Sequence, residues 1–172
     1  MTTIICDSSL LILVTKLELL DILIESFDTI FIPSAVYSEC VIKGKELKKL
    51  DAFSIEKNVN DGKILVKDIK NIKERKNIIK NFNIHKGESE AIILYSEEKA
   101  DLLGTDDYRT LKVCNILDIK YFTTSIFLVR SYEREKLSKE ISILKLEKLE
   151  KLGWYKEDFL EEFKNKIESK EV

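Results

Sequence analysis

The chain has 172 residues, a length that fits one domain with a C-terminal extension and can bury a core without disulfides or a structural metal. Hydrophobic residues make up 44% and charged residues 35% of the sequence, which excludes a disordered chain and a membrane protein. The formal net charge of −2 argues against a protein that holds nucleic acid by overall charge, although basic residues cluster between Lys43 and Lys86.

We expect no signal peptide and no membrane span in the apolar start of the chain, because charged residues interrupt it and it lacks a basic leader. The three cysteines have neither CxxC nor Cys/His spacing, and His85 is the only histidine. A zinc site is therefore not expected, and a reduced cytoplasmic setting is the simpler interpretation.

In chain order, hydrophobic periodicity predicts strands and helices that alternate. The first elements are a strand at Thr3–Cys6, helices at Leu10–Val14 and Glu18–Ser26, a strand at Thr29–Ile32 and a helix from Pro33 to about Ile42. A mostly helical stretch follows, with an extended segment at Lys63–Val66. After it come a helix at Glu88–Glu98, a strand at Asp101–Gly104, a helix at Asp107–Cys114, a strand at Ile119–Phe122 and a helix at Ser125–Arg134. This alternation predicts an α/β fold with a parallel sheet covered on both faces.

Two charged amphipathic helices are predicted from Lys136 onward, flanking Gly153–Trp154. We therefore predict a domain over residues 1–135 and a C-terminal helical extension over residues 136–172 that packs on it. The apolar positions expected to make this contact are Ile141, Leu144, Leu149, Phe159, Leu160 and Phe163. The alternative is that this stripe forms a dimer or partner surface.

Aspartates follow two of the predicted strands. Asp7 comes directly after the first strand, and Asp106 and Asp107 follow Asp101–Gly104 and Thr105. Ligands of open parallel sheets bind beyond the carboxyl ends of the strands. We expect these acids to lie at one edge of the sheet.

Two glutamates lie on apolar helix faces. Glu39 is four residues after Ala35 and three before Ile42, and Glu90 is three residues before Ile93. A carboxylate rarely occupies such a position unless it is paired or binds a metal. Clustered carboxylates favour Mg²⁺ or Mn²⁺, which can activate water for attack on a phosphodiester.

Simpler interpretations exist for each acid taken alone. Asp7 and Asp107 could cap the helices that follow them. Glu39 could pair with Lys43, four residues on, and Glu88 reads as a charge on the helix surface. The prediction of a metal site depends on the set of acids.

Four segments together resemble the PIN domain family. They are Ile4–Leu11, with Asp7 followed by two serines; Ile32–Glu39, similar to the pattern (Val/Ile)-Pro-x-x-Val-x-x-Glu; Gly87–Ile92, similar to Gly-Glu-x-Glu-Ala-Ile; and Leu103–Asp107. Asp107–Arg109 and Lys151–Tyr155 also resemble a PIN-like subfamily described as predicted nucleic-acid-binding. The resemblance implies a three-layer α/β/α fold with a parallel sheet of four to five strands.

The resemblance also implies a Mg²⁺- or Mn²⁺-dependent endoribonuclease that acts as the toxin of a toxin–antitoxin pair, forms a homodimer and binds a small antitoxin. The residues it assigns are Asp7, Glu39, Glu90 and Asp107 as catalytic metal ligands, Asp106 as a further ligand, Ser8 and Thr105 as supporting hydroxyls, and Arg109 as a phosphate contact. The third acid is Glu where the family usually has Asp, and Gly104 falls where many relatives carry another apolar residue.

Two other functions fit the pattern. One is a catalytically weak or inactive module that binds nucleic acid or protein on the same fold. The other is a phosphoacceptor receiver domain, which ranks last because no lysine after the final strand is placed for that role.

Overall fold

A computed structural model describes residues 1–152, 155 and 157–169 of the chain, without the side chains of residues 157–159. Its centre is a five-stranded parallel sheet with the strand order β3-β2-β1-β4-β5. The strands are β1 (Thr3–Cys6), β2 (Thr29–Pro33), β3 (Leu65–Lys67), β4 (Leu102–Gly104) and β5 (Tyr121–Phe122). The predicted α/β fold with a parallel sheet of four to five strands is confirmed.

The first strand lies in the middle of the sheet. Ile5 pairs with Phe31 of β2 on one side and with Leu103 of β4 on the other. From β1 the chain adds β2 and β3 on one side and then crosses to add β4 and β5 on the other. The order reverses between β1 and β4, and such a switch point opens a crevice at the carboxyl edge of a sheet.

Helices connect the strands and cover both faces of the sheet. Those of the first half are α1 (Ser8–Lys16), α2 (Leu20–Ser26), α3 (Ser34–Tyr37), a π-helical turn (Ser38–Lys43), α4 (Gly44–Glu46) and α5 (Leu50–Asn60). Those of the second half are α6 (Ile72–Phe82), α7 (Lys86–Glu98), α8 (Tyr108–Ile116), α9 (Thr124–Glu133), α10 (Lys139–Lys151) and α11 (Glu157–Glu168).

Most predicted elements lie where the sequence placed them, with different ends. The helix predicted from Glu18 begins at Leu20, because Glu18 has a φ of 56° and so ends the preceding turn in the left-handed region. The helix predicted from Pro33 begins at Ser34, since Pro33 is still part of β2.

Two apolar clusters lie on opposite faces of the sheet. Ile4 belongs to one cluster and Ile5 to the other, as expected for successive residues of a strand, and neither is exposed. The helices α1, α2 and α9 contribute to the first cluster, and α7 contributes to the second. Cys6, Cys40 and Cys114 are free and buried within these two clusters.

The C-terminal helices pack on the first cluster. Their buried side chains include Leu146, Leu149, Leu160, Phe163 and Ile167. The predicted contact is wrong for Ile141 and Leu144, which are 45% and 62% exposed, because α10 turns Ser142, Leu146 and Leu149 inward instead. Phe159, Gly153 and Trp154 lie outside the side chains that the structure describes.

Candidate active site

Asp7 lies where β1 ends, at the switch point of the sheet. Its backbone N–H donates to the carbonyl of Gly104 at 3.0 Å, and its carboxylate accepts from the Leu10 N–H at 2.9 Å, capping α1. The same carboxylate accepts from the Ser9 hydroxyl at 2.7 Å and from the Thr105 hydroxyl. The N-cap interpretation of Asp7 is therefore confirmed. The same residue also lies near the other acids.

Burial dominates the ionisation of Asp7. Only 1% of the residue is exposed, and this burial raises the pKa of its carboxyl to about 7, with the nearby Asp106 adding to the rise. The hydrogen bonds from Thr105, Leu10 and Ser9 lower the pKa but do not offset the loss of hydration. A cation beside this carboxylate would favour its charged form.

Glu39 lies in the π-helical turn and points to the start of α7. Its Oε2 accepts from the Ser8 hydroxyl at 2.5 Å. A Cβ at Gly87 would come within 2.8 Å of the same oxygen, so glycine is needed for this approach. The first turn of a helix favours a negative charge, which stabilises Glu39 at this position.

Asp107 lies after β4 and caps α8. Its Oδ1 accepts from the Thr110 N–H at 2.8 Å and from the Thr110 hydroxyl at 3.0 Å. No described residue donates to its other oxygen. As with Asp7, the capping interpretation is confirmed.

Glu88 stands in the first turn of α7, near Glu39 and Asp107. Its carboxylate accepts from the His85 N–H at 2.6 Å. Partial burial raises the pKa of Glu88, and the charges of Asp107 and Glu39 raise it further. The sequence indicated a helix-surface charge here, and the structure differs: the side chain is half-buried against two other acids.

Glu90 points elsewhere. It is 4% exposed, as its apolar face predicted, but its Oε1 accepts from Arg75 Nη1 at 2.6 Å and its Oε2 from the Ala35 N–H at 3.2 Å. Lys86 Nζ lies 3.7 Å from the same Oε1 of Glu90. Two residues along a helix are separated by about 200° of rotation, so Glu88 and Glu90 face different directions.

Asp106 faces α9 and the C-terminal region. Its carboxylate accepts from the Thr124 N–H at 2.9 Å, from the Thr124 hydroxyl and from the Tyr155 hydroxyl. Burial raises the pKa of Asp106, and these hydrogen bonds oppose the rise. Its N–H donates to the Ser9 hydroxyl at 2.8 Å, so Ser9 joins Asp106 to Asp7.

The acids that converge line one small cavity of about 160 Å³ at the carboxyl edge of the sheet. Its walls are Asp7, Ser8, Ser9, Ile12, Glu39, Glu88 and Asp107. We call it the acidic cavity. Glu90, Asp106 and Thr105 do not line it, although Thr105 contacts Asp7 from behind.

A family model described as a PIN domain matches residues 3–169. The chain belongs to the PIN domain family. The resemblance seen in the four motifs is therefore confirmed, and the match extends through α10 and α11. PIN domains are generally nucleases and typically use divalent metals. A search of curated proteins finds no match.

The donor set of this PIN domain fits a hard divalent cation, because the cavity offers carboxylate and hydroxyl oxygens and no nitrogen or sulfur ligand among its lining residues. Gly87 leaves room for the Glu39 carboxylate, and a cation bound beside Asp7 would oppose the rise in pKa that burial causes there. Among the residues that the structure describes, no three His, Cys, Asp or Glu side chains are grouped tightly enough to hold a metal as they stand.

The predicted phosphate contact, Arg109, lies on the surface two residues after Asp107. It is exposed and donates from Nη1 to the Asn83 carbonyl at 3.3 Å. The two supporting hydroxyls named from the sequence both contact acids, Ser8 with Glu39 and Thr105 with Asp7. Within residues 1–152 and 157–169, no helix is long and apolar enough to cross a membrane.

Proposed function

We propose that this PIN domain is a Mg²⁺- or Mn²⁺-dependent endoribonuclease whose metal ligands, direct or through water, are Asp7, Glu39, Glu88 and Asp107. The observation that carries the proposal is the acidic cavity at the switch point of the sheet, in a chain of a family of nucleases. Glu88 replaces Glu90 in the set inferred from sequence, because Glu90 is paired with Arg75 and lies outside the cavity.

The metal, when bound, would supply an activated water and neutralise charge on the phosphodiester. The chain's own groups hold the acids in place. The Ser8 hydroxyl fixes one oxygen of Glu39, and the Ser9 and Thr105 hydroxyls fix both oxygens of Asp7. Such supporting hydrogen bonds set the orientation of ligating carboxylates.

Two acids predicted as ligands take structural roles in this proposal. Glu90 accepts from the Ala35 N–H at the start of α3, the helix that leads to Glu39. Asp106 ties the loop after β4 to Thr124 and Tyr155. Arg109, at the rim, is proposed to contact RNA phosphate, a positioning contact that carries no sequence information.

The decisive test compares Asp107→Asn and Asp7→Asn with Asp118→Asn. Asp118 is an exposed aspartate in a left-handed conformation that asparagine also tolerates, so it is a matched control. We expect both cavity variants to lose Mn²⁺-dependent cleavage of total RNA, with a folded circular dichroism spectrum, and the control to retain it. Unchanged cleavage by either cavity variant would sink the ligand assignment.

The second candidate is a catalytically weak or inactive module that binds nucleic acid or protein. The lack of a preformed three-ligand cluster among the described residues favours it. Calorimetric titration with Mn²⁺ separates the two: heat that saturates and disappears in Asp107→Asn supports the nuclease. Absence of binding at millimolar metal supports the module.

A toxin role, a small antitoxin partner, a homodimer and a cytoplasmic location remain proposals that come from the family resemblance. Growth arrest on expression, relieved by a small protein encoded beside the gene, would support the toxin role. Sedimentation that shows only the mass of one chain would count against the homodimer.

A further inference from the structure

Tyr108 is a large aromatic residue left open to solvent beside the acidic cavity. It is 69% exposed and is the first residue of α8, directly after Asp107, which lines the cavity. Consecutive Cα atoms are about 3.8 Å apart, so the backbone of Tyr108 adjoins a residue of the cavity wall. The tyrosine belongs to neither apolar cluster, and among the described residues its hydroxyl has no hydrogen-bond partner.

Two basic residues of α8 accompany Tyr108 on the side away from Asp107 in the chain. Lys112 Nζ lies over the ring, 4.5 Å from its centroid, and Arg109 is exposed one residue on. The ten residues from Tyr108 to Leu117 contain no acid, although the whole chain has 31 acids and a net charge of −2. The exposed side of α8 is therefore a local cationic surface with an aromatic ring at the end nearest the cavity.

We propose that Tyr108 is a stacking platform for an unpaired nucleobase of the bound strand, with Lys112 and Arg109 contacting the phosphates beside it. An aromatic ring offers a π-face to any base, and neighbouring cations hold the backbone. A base inside a duplex is stacked on both sides and offers no free face, so the platform selects unpaired nucleotides. This inference deepens the proposed function, because it rests on a nucleic acid lying at the acidic cavity.

The test measures binding without cleavage. A labelled single-stranded oligoribonucleotide and its duplex are titrated with the protein in Ca²⁺, an oxygen-seeking ion of different coordination from Mg²⁺, and followed by fluorescence anisotropy. The variants are Tyr108→Ala and Tyr108→Phe. The matched control is Phe53→Ala, an aromatic residue that is 49% exposed, has Lys45 Nζ 5.7 Å from its ring centroid and lies outside the acidic cavity.

We expect Tyr108→Ala to weaken binding of the single strand by about 5- to 150-fold, the range for one lost base stack. Tyr108→Phe keeps the ring and should bind as the unsubstituted protein does, and so should Phe53→Ala. The duplex should bind equally to all four proteins. An abasic nucleotide moved along the strand should abolish the effect of Tyr108→Ala at one position, as a double-mutant cycle requires.

Three outcomes would overturn the platform: no binding of any strand, equal binding by Tyr108→Ala, or an equal loss for single strand and duplex. A change in sedimentation with unchanged RNA binding would also overturn it, because the ring would then serve an interface between proteins. The proposed nuclease fails separately, if the protein binds the strand through Tyr108 but does not cleave it in Mn²⁺. If the protein cleaves RNA in Mn²⁺ and Tyr108→Ala binds the single strand unchanged, only the stacking platform is overturned.

Discussion

Asp7 is the only fully buried acid among the four that line the acidic cavity. Its carboxylate has three hydrogen-bond donors, yet burial still raises its pKa to about 7. A protein that buries a carboxylate with hydroxyl donors and no counter-charge destabilises its own fold near neutral pH. Such a position is common where a charge is kept for function.

The pH dependence of stability follows from that pKa. The unfolded carboxyl titrates near 3.8 and the folded one at about 7, so the folded state holds an extra proton between these values. The contribution of Asp7 to stability is greatest below pH 3.8 and is lost as the pH rises to about 7. We expect Asp7→Asn to raise the thermal midpoint relative to the unsubstituted protein by an amount that grows over this window and then levels off.

The measurement is a series of thermal melts from acid to mildly alkaline pH in a chelator. Asp118→Asn serves again as the control, because its exposed site should give a difference that does not vary with pH. A difference for Asp7→Asn that is flat across the window would show that the carboxyl titrates normally in the folded protein.

Positions of single acids were predicted from sequence where the backbone fixes them. Asp7 directly follows β1, and Asp107 comes three residues after the end of β4. Parallel strands end at one edge of the sheet, so both acids lie there. Glu88 was missed because the resemblance to the family motif pointed to the second glutamate of the segment, Glu90. A signal existed: α7 precedes a strand of a parallel sheet, so its first turn begins at the carboxyl edge, where the site lies.

At the scale of elements, α7 divides two tasks between two faces. In its first turn, Glu88 lines the acidic cavity and Gly87 lies against Glu39. The other face turns Glu90 toward Arg75 on α6 and toward the start of α3. This helix of 13 residues therefore supplies an acid to the site and is hydrogen-bonded to two neighbouring helices.

We expect Glu88→Gln and Glu90→Gln to have opposite effects. Glu90→Gln replaces a charged hydrogen bond to a mostly buried arginine and should lower the free energy of unfolding by about 1–3 kcal/mol. Glu88→Gln removes a charge whose pKa is raised, so stability should be unchanged or higher, while Mn²⁺ affinity falls. Urea denaturation measures the first quantity and calorimetric titration the second.

The two variants Glu88→Gln and Glu90→Gln also show which of these glutamates binds the metal. If Glu90→Gln has the free energy of unfolding of the unsubstituted protein but loses Mn²⁺ binding, the ligand set inferred from sequence, which includes Glu90, is correct. If Glu88→Gln binds Mn²⁺ unchanged, its place in the cavity has no role in metal binding.

The π-helical turn at Ser38–Lys43 is an element that the sequence did not indicate. Periodicity predicted an ordinary helix from Pro33 to about Ile42, and a widened turn differs from it by only one residue per turn. The turn carries Glu39, and such turns often occur at functional sites.

At the scale of the whole molecule, the C-terminal helices belong to the same apolar core as α1, α2 and α9. Leu146 and Leu149 of α10 and Leu160 and Ile167 of α11 are at most 4% exposed within it. The Tyr155 hydroxyl also donates to Asp106, next to the site acid Asp107. The region predicted as an extension thus completes the core and touches the loop that carries the site.

We therefore expect a chain that ends at Glu135 to be unstable. Loss of the two helices would expose the apolar side chains of α9 that they cover, since each buried leucine contributes about 1.5–3 kcal/mol. Size-exclusion chromatography should show aggregation, and thermal melts should show a lower or absent transition. A monomeric truncated chain with the full-length midpoint would support a separable extension, as the boundary at residue 135 implies.

The sequence by itself determined the parallel α/β architecture, the family and the edge of the sheet where acids gather, because strand–helix alternation and strand ends are local properties. Tertiary structure decided which acids meet: Glu88 enters the acidic cavity, Glu90 pairs with Arg75, and Asp106 turns to Thr124. The direction of a side chain depends on helix rotation and on partners distant in sequence, which periodicity does not encode. The distances between the carboxylates are likewise set by packing, because the elements that carry them are far apart in the chain.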